Sequence, residues 1–475
     1  MEFLTNIINF LNGIIWSVYI LVPLLLGTGL YFTIKTRGLQ IRMIPEMFRS
    51  IDEPGIDNQD GVSSFEAFTV GLATRIGTGN LAGVAIAIVT GGPGAVFWMW
   101  VVAILGSVSA FIESTLAQVY KVRDEETSFR GGPAYYMRDG LKKPKMGTFF
   151  AIMITICFGL IFNAVSTSTI ANAAVNGLGI TENVDVFNAA LGVFLATLAG
   201  YIILGGTKKI ADFTAKMVPF MAFLYIGLAI IVLIVRADQI PVVFHMIMTD
   251  AFTANAAFGG AIGITVVQGV KRGLFSNEAG MGSAPNAAAS ATTNHPVRQG
   301  LIQSLGVYVD TLVICSATAF IILVSGIPLD PTATDGISVT MNALGAVLGE
   351  WAMYYLLAAI FFFAFSTVIG CYYYAQANLE YLNASDRFIK FFKFVVMGLI
   401  IWGACVSSEV IWALSDLALG SMALVNIIAI LMLRKDAFLV LKDFEEQRDA
   451  GELPVFDSSK YERFSDLEIW DQTKK

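Results

Sequence analysis

The chain has 475 residues, of which 56% are hydrophobic and 14% charged, with a formal net charge of −7. Soluble domains carry roughly a quarter charged residues, so a surface this poor in charge excludes a soluble enzyme or a disordered chain. The acidic balance, with no basic stretch interleaved with aromatics, excludes a nucleic-acid binder. A mean hydropathy of +0.69 and 44 glycines instead describe an integral membrane protein whose helices pack closely.

Stretches apolar and long enough to cross a bilayer fall at 13–34, 65–90, 94–121, 147–176, 187–205, 213–236, 258–290, 300–326, 349–381, 391–408 and 411–433. Their continuity suits helices and not tilted barrel strands, which predicts an all-α polytopic membrane protein with eleven transmembrane helices. The N-terminus has no basic segment ahead of its apolar run, so the first span is expected to be retained. Of the 30 Lys and Arg, 25 lie in the loops after odd-numbered spans and in the C-terminal tail. Four lie inside spans (Arg75, Lys216, Lys271 and Arg272), and only Arg236 lies on the other face. Basic loops stay in the cytoplasm, which places the N-terminus outside and the C-terminus inside. The four cysteines sit in apolar stretches without paired spacing and the two histidines in predicted loops, a pattern of buried thiols and not of a metal centre. Residues 434–475 read as a solvated cytoplasmic tail.

Two spans depart from a plain lipid-facing pattern. The second carries Gly71-Leu-Ala-Thr-Arg75-Ile-Gly77-Thr78-Gly79-Asn80-Leu-Ala-Gly83, and the seventh Gln268-Gly-Val-Lys-Arg272-Gly-Leu-Phe275-Ser276-Asn277-Glu278-Ala-Gly280. An arginine at mid-membrane costs at least ~2.5 kcal/mol and each helix-interior glycine about 1 kcal/mol, so both segments predict interrupted helices. They share the pattern R-x4-N-x-A-G at an offset of 197 residues, and at that offset Glu113-Ser114 meets Asp310-Thr311. Five spans separate the partners, so the second copy is inverted. The predicted organisation is an extra N-terminal helix and loop (1–64), a first five-helix repeat (65–236), a second inverted repeat (258–433) and the tail (434–475). Broken helices leave main-chain N–H and C=O groups unpaired, tolerable in lipid only around a cavity or bound solute. Two such breaks facing each other suit a zwitterion and a monovalent cation, which points to an alternating-access secondary transporter and not an enzyme. Gln268, Phe275, Ser276 and Asn277 are expected to line the second break. Asn80 and Asn277 are either half-helix caps or substrate contacts. Arg75, Glu113, Arg272, Glu278 and Asp310 are expected to form a buried charge network, with a carboxylate among them available if a proton is coupled.

Gly91-Gly-Pro-Gly-Ala-Val-Phe-Trp-Met-Trp100, Arg75-Ile-Gly-Thr-Gly-Asn80, Gly131-Gly-Pro-Ala-Tyr-Tyr136 and Arg272-Gly-Leu-Phe-Ser-Asn-Glu-Ala-Gly280 together resemble the signature of the alanine/glycine:cation symporter family. The resemblance implies a leucine-transporter-type inverted-repeat fold in the cell membrane. It also implies uptake of alanine or glycine coupled to Na+, with H+ as the other coupling ion known in such carriers. Residue by residue it implies that Thr78 and Gly79 hold the substrate carboxylate. It implies further that the carbonyls of Ala73, Ile76 and Phe363 and the hydroxyls of Ser366 and Thr367 hold sodium. Phe275 and Met281 are expected to bound the space left for the substrate side chain. A symporter of an amine or nucleobase fits less well, since only Phe275 offers a stacking ring at the breaks, and a channel has no need of inverted halves.

Overall fold

The computed structural model describes residues 2–52, 62–124, 128–252, 261–330, 335–406 and 408–471. Its longer helices are α1 (Glu2–Ile15), α2 (Leu21–Lys35), α3 (Ser64–Arg75), α4 (Val84–Gly91), α5 (Ala95–Val119), α6 (Pro144–Gly177), α7 (Val184–Ile203), α8 (Thr207–Val235) and α9 (Ile240–Asp250). There follow α10 (Ala261–Asn277), α11 (Pro285–Ser290), α12 (Pro296–Ser325), α13 (Gly336–Leu348), α14 (Trp351–Tyr381), α15 (Asp386–Cys405), α16 (Ser408–Met432) and α17 (Arg434–Asp449). A two-stranded antiparallel hairpin, β1 (Val122–Asp124) and β2 (Ser128–Arg130), follows α5, a small departure from an all-helical chain. Among the described residues eight helices are long and apolar enough to span a membrane, and a ninth if α3 and the bent segment Gly79–Gly91 count as one.

Local chemistry sets several boundaries. Ser63 and Glu66 form a reciprocal capping box at the start of α3, with bonds of 3.1 and 2.7 Å, which satisfies two of its otherwise orphaned donors. Pro144, Pro285 and Pro296 each open a helix, where the missing N–H costs nothing. α12 packs most extensively on α5, and α7 on α15.

Three segments differ from the sequence reading. The first predicted span, 13–34, is split into α1 and α2 by a turn after Ile15, and α1 packs against α16. The stretch between the eighth and ninth predicted spans holds α13, which packs on the first break. The tail is folded onto the bundle. In α17 Ala437, Val440 and Phe444 are buried, and beyond it Phe456, Phe464 and Trp470 are buried too. Trp470 Nε1 donates to Gln118 O at the end of α5 (2.9 Å), and the Phe456 N–H to Asn294 O beside the start of α12 (3.0 Å). Aromatic side chains spaced through a polar segment find a hydrophobic surface that a solvated tail lacks.

Candidate functional site

The first break begins where the α3 ladder stops. Ile76 has φ −76° and ψ 84°, which turns its carbonyl out of the helix. The chain resumes as a π-helical turn, Gly79–Gly83, leading into α4, and the axis bends by 44°. Gly77 lies so close to the Thr367 hydroxyl that any Cβ there would collide with it, so the approach of α14 to the opened turn requires glycine. The Gly77 N–H donates to Asn80 Oδ1 (2.8 Å), and Asn80 Nδ2 donates to an Asp310 carboxylate oxygen (2.7 Å). The Thr340 hydroxyl of α13 donates to Leu81 O within the π-helical turn (2.9 Å).

The second break lies later than the sequence suggested. α10 is continuous through Lys271–Asn277, so the expected interruption there is corrected. The only glycine in that stretch, Gly273, packs on Val102 and Met99, and nothing in it favours leaving the helix. The chain departs instead at Glu278 (φ +58°) and passes through Gly280 and Gly282 (φ +86° each) before Pro285 opens α11. A left-handed backbone is routine only for glycine, and these two supply it. Both turn their N–H groups onto Glu113 of α5, one to each carboxylate oxygen at 3.1 Å, and Asn426 Nδ2 adds a third bond at 2.7 Å. The opened amides of the second break are therefore satisfied from within the protein. Asn277 Oδ1 accepts the Ala279 N–H (3.0 Å), and its Nδ2 donates to Thr311 Oγ1 (3.2 Å). Each asparagine thus caps its own break and reaches one of two adjacent residues, Asp310 and Thr311.

The first break meets the last turn of α10 at Gly79, where a Cβ would stand 3.0 Å from the Phe275 ring and 3.1 Å from Ser276 Cα. Ser276 Oγ donates to Asp310 at 2.9 and 3.0 Å, and Thr311 Oγ1 at 2.7 Å. Asp310 is fully buried and held wholly by neutral donors. Phe275 is stacked on Phe162 (centroids 4.8 Å apart) and faces the tilted ring of Trp412 on its other side (4.7 Å). Met281 is buried in the second break. Over this stack Arg272 makes a two-pronged contact with Asp416 (3.0 and 2.9 Å) and lies 4.9 Å above the Trp412 ring. Lys271 Nζ reaches the same carboxylate at 2.5 Å.

On the other side of the first break Thr367 Oγ1 stands 3.0 Å from both Ala73 O and Phe363 O, and Ser366 Oγ lies 2.9 Å from Phe363 O. Neutral carbonyl and hydroxyl oxygens gathered from α3 and α14 are a donor set suited to a small monovalent cation, with no carboxylate to bind it irreversibly. Both hydroxyls also bond back along their own helix, as intramembrane Ser and Thr commonly do. Thr78, Gly79, Asn80, Phe275, Ser276 and Asn277 are thus brought together, and Ala73, Phe363, Ser366 and Thr367 converge beside them. Gln268 is not part of this cluster. It packs on Gly91, at the far end of α4.

Among the described residues no direct ion pair joins any two of the five expected network charges, although Arg75 acts electrostatically on Glu113, Glu278 and Asp310. Arg272 goes to Asp416, Glu113 to amide groups, and Glu278 to the Ser283 hydroxyl (2.5 Å). Arg75 gives Nη1 to Gln303 O (3.2 Å), while its Nε and Nη2 have no hydrogen-bond partner among the described residues. Neutral donors reach each carboxylate first. Asp416, Trp412, Phe162, Asn426 and Thr340 were missed by the sequence reading. Two adjacent cations inside one predicted span, Lys271 and Arg272, were the available signal for a carboxylate such as Asp416.

The sodium:alanine symporter family model matches residues 1–458. The chain is 46% identical over 470 residues to a probable sodium/glutamine symporter, GlnT, of Bacillus subtilis, covering 99% of this chain and 96% of that one. It is 45% identical to the amino-acid carrier protein AlsT of the same organism (100% and 99% covered). It is 36% identical to the sodium/alanine symporter AgcS of Methanococcus maripaludis (94% and 98% covered). Its fold is similar to that of MhsT in complex with L-phenylalanine, a leucine-transporter-type structure, with a TM-score of 0.55, 12% identity, and 80% of this chain and 100% of that chain covered. With whole-length relatives at this identity and a family model spanning nearly all of it, the chain belongs to the sodium:alanine symporter family.

Proposed function

We propose that the protein carries alanine and glycine into the cell together with sodium, by alternating access around the point where the first break meets the end of α10. The observation that carries this reading is the opened turn Ile76–Gly79, which has Thr367 and the Ala73 and Phe363 carbonyls on one side and Phe275 and Ser276 on the other. In this reading Thr78 and Gly79 offer main-chain N–H groups to the substrate carboxylate, as helix N-termini do for anions. Asn80, Ser276 and Asn277 fix the backbone around it. The oxygens of Ala73, Ile76, Phe363, Ser366 and Thr367 take sodium, whose positive charge compensates the carboxylate nearby.

Space argues for a small side chain. The three-ring stack closes directly on Gly79, leaving little room beside the Cα of a bound amino acid, which favours alanine and glycine over glutamine. The Lys271/Arg272–Asp416 clasp over the stack serves as the outer closure. The architecture we propose has eleven spans, with 65–236 and 258–433 as inverted five-helix repeats, 1–64 outside them, the N-terminus outside the cell and 434–475 in the cytoplasm.

The test is uptake of labelled alanine into proteoliposomes under an imposed sodium gradient or, separately, a pH gradient. The expected result is stimulation by sodium, with competition by glycine and little by leucine or glutamine. Stimulation by a proton gradient alone would replace the coupling ion, and stimulation by neither would overturn symport.

A further inference from the structure

α1 stands outside the repeats, yet it reaches the clasp. Just past its end lies Trp16, whose buried indole donates Nε1–H to the main-chain oxygen of Asp416 at 2.9 Å. One turn earlier Asn12 Nδ2 donates to Ala413 O at 2.8 Å. Asp416 is the residue whose carboxylate Lys271 and Arg272 share. The face of the same indole lies 5.9 Å from the Lys271 ammonium, within cation–π range. Trp16 therefore touches both signs of charge in the clasp, the anion through its main chain and the cation through the ring. The fit is close. A Cβ on Gly420, one turn beyond Asp416, would stand 2.6 Å from Ile15 Cγ2 and 3.0 Å from Trp16 Nε1.

The carbonyls of Ala413 and Asp416 lie inside α16, where the helix ladder already engages them. A second donor on each fixes how far α16 is rotated and shifted along its axis, and so where the Asp416 side chain points. That direction matters because a buried and a half-buried cation, Arg272 and Lys271, converge on one carboxylate. A displaced Asp416 leaves a positive pair in a low-dielectric setting, which is strongly unfavourable. The other face of α1 presents Ile7, Phe10, Leu11 and Ile14, all exposed. It is an amphipathic helix suited to lie against lipid while its polar residues grip α16.

We propose that Trp16, assisted by Asn12, positions Asp416 between Lys271 and Arg272, so that the helix outside the repeats sets how firmly the outer closure holds. This rests on the reading of the clasp as that closure. The test uses the full-length protein in proteoliposomes, with alanine affinity measured by direct binding and transport by sodium-driven uptake. Trp16→Phe keeps an aromatic ring but removes the N–H together with the pyrrole half of the indole. Loss of one such bond shifts the closed-to-open ratio about fivefold, so alanine affinity and uptake should fall by roughly that factor. In an Asp416→Asn background the same change should have no further effect, because a residue acting through another shows non-additivity. Asn12→Ala should reproduce the pattern and serves if Trp16→Phe folds poorly, with the ligand-free thermal midpoint reporting folding. Additive losses, or a Trp16→Phe protein indistinguishable from the parent, would overturn the proposal. An Asp416→Asn protein with unchanged binding and uptake would instead remove the closure reading beneath it, and this inference with it.

Discussion

Asn80 Nδ2 stands 2.7 Å from an Asp310 carboxylate oxygen, while Asn80 Oδ1 accepts the Gly77 N–H at 2.8 Å. A single amide thus links the opened turn of the first break to α12. Asn277, its counterpart at the 197-residue offset in the sequence, does the same between Ala279 and Thr311. Asn80→Ala removes both bonds from a fully buried setting and leaves a charged acceptor short of a donor, a loss of about 1.5–3 kcal/mol. Uptake should fall at least tenfold. Asp310→Asn should be similarly harmful, because its new amide group faces the donors of Asn80, Ser276 and Thr311. Uptake by the double variant should fall well short of the product of the single losses, and fully multiplicative losses would mean that the two residues act separately.

Thr367 and Ser366 separate a cation site from ordinary helix chemistry. Thr367 Oγ1 reaches across to Ala73 O on α3, whereas Ser366 Oγ donates back to Phe363 O on its own helix. Thr367→Val, which keeps the shape and removes the hydroxyl, should raise the half-saturating sodium concentration by about tenfold, the equivalent of one lost oxygen contact of ~1.4 kcal/mol. Ser366→Ala should have a smaller effect in the same direction. Sodium titrations of initial alanine uptake read both, and unchanged sodium dependence in Thr367→Val would move the ion elsewhere.

The parts of this site that were legible in the sequence are those where a single residue type is unfavourable in a plain span. Gly77, Gly79 and Arg75 mark the first break because neither glycine nor arginine belongs at mid-helix in lipid. The second break was misplaced because Lys271 and Arg272 drew attention to a stretch that is good helix, while the residues that break it are Gly280 and Gly282, whose left-handed geometry no hydropathy window registers. Asp416 stayed hidden as one of only two acids in the apolar helix α16. Its role depends on Lys271 and Arg272 arriving from 145 and 144 positions away, a tertiary fact. The docking of the tail was obscured by its polarity. Its four buried rings, Phe444, Phe456, Phe464 and Trp470, are too widely spaced to give a periodic signal.

Glu113 closes the second break by accepting from Gly280, Gly282 and Asn426. Glu113→Gln keeps the volume but points an NH2 group at one of these donors. The cost is about 2–4 kcal/mol, that of stranding a buried main-chain donor and losing charge-assisted bonds. The thermal midpoint should drop by several degrees, and Glu113→Asp, one methylene shorter, should also fail to span both amides. A Glu113→Gln protein as stable as the parent would show that the carboxylate is already protonated when it holds the turn.

His295 ties the tail to the start of α12 and gives its docking a pH dependence. Its Nδ1 accepts the Val297 N–H (3.2 Å), so the ring proton sits on Nε2, facing Asp443 Oδ2 at 3.1 Å. Burial between Phe444 and Phe456, with Arg298 adding to it, depresses the imidazole below its ordinary 6.5, against the pull of Asp443. Asp443 is held below the usual carboxylate range by bonds from His295 and Tyr461, which outweigh its own burial, with Lys460 assisting. Gln447 Nε2 is bonded to it as well (2.8 Å). Between the depressed value and 6.5 the undocked chain binds a proton that the docked one refuses, so docking is at full strength above 6.5 and weakens as the pH falls below it. The Asp443 contribution is lost only at pH values below its ordinary 3.8, outside this window. Limited proteolysis within residues 450–471 should therefore be faster at pH 5.5 than at pH 7.5. In His295→Asn, which retains a cap acceptor for Val297, the difference between the two pH values should vanish. If it persists, the sensitivity lies elsewhere in the tail.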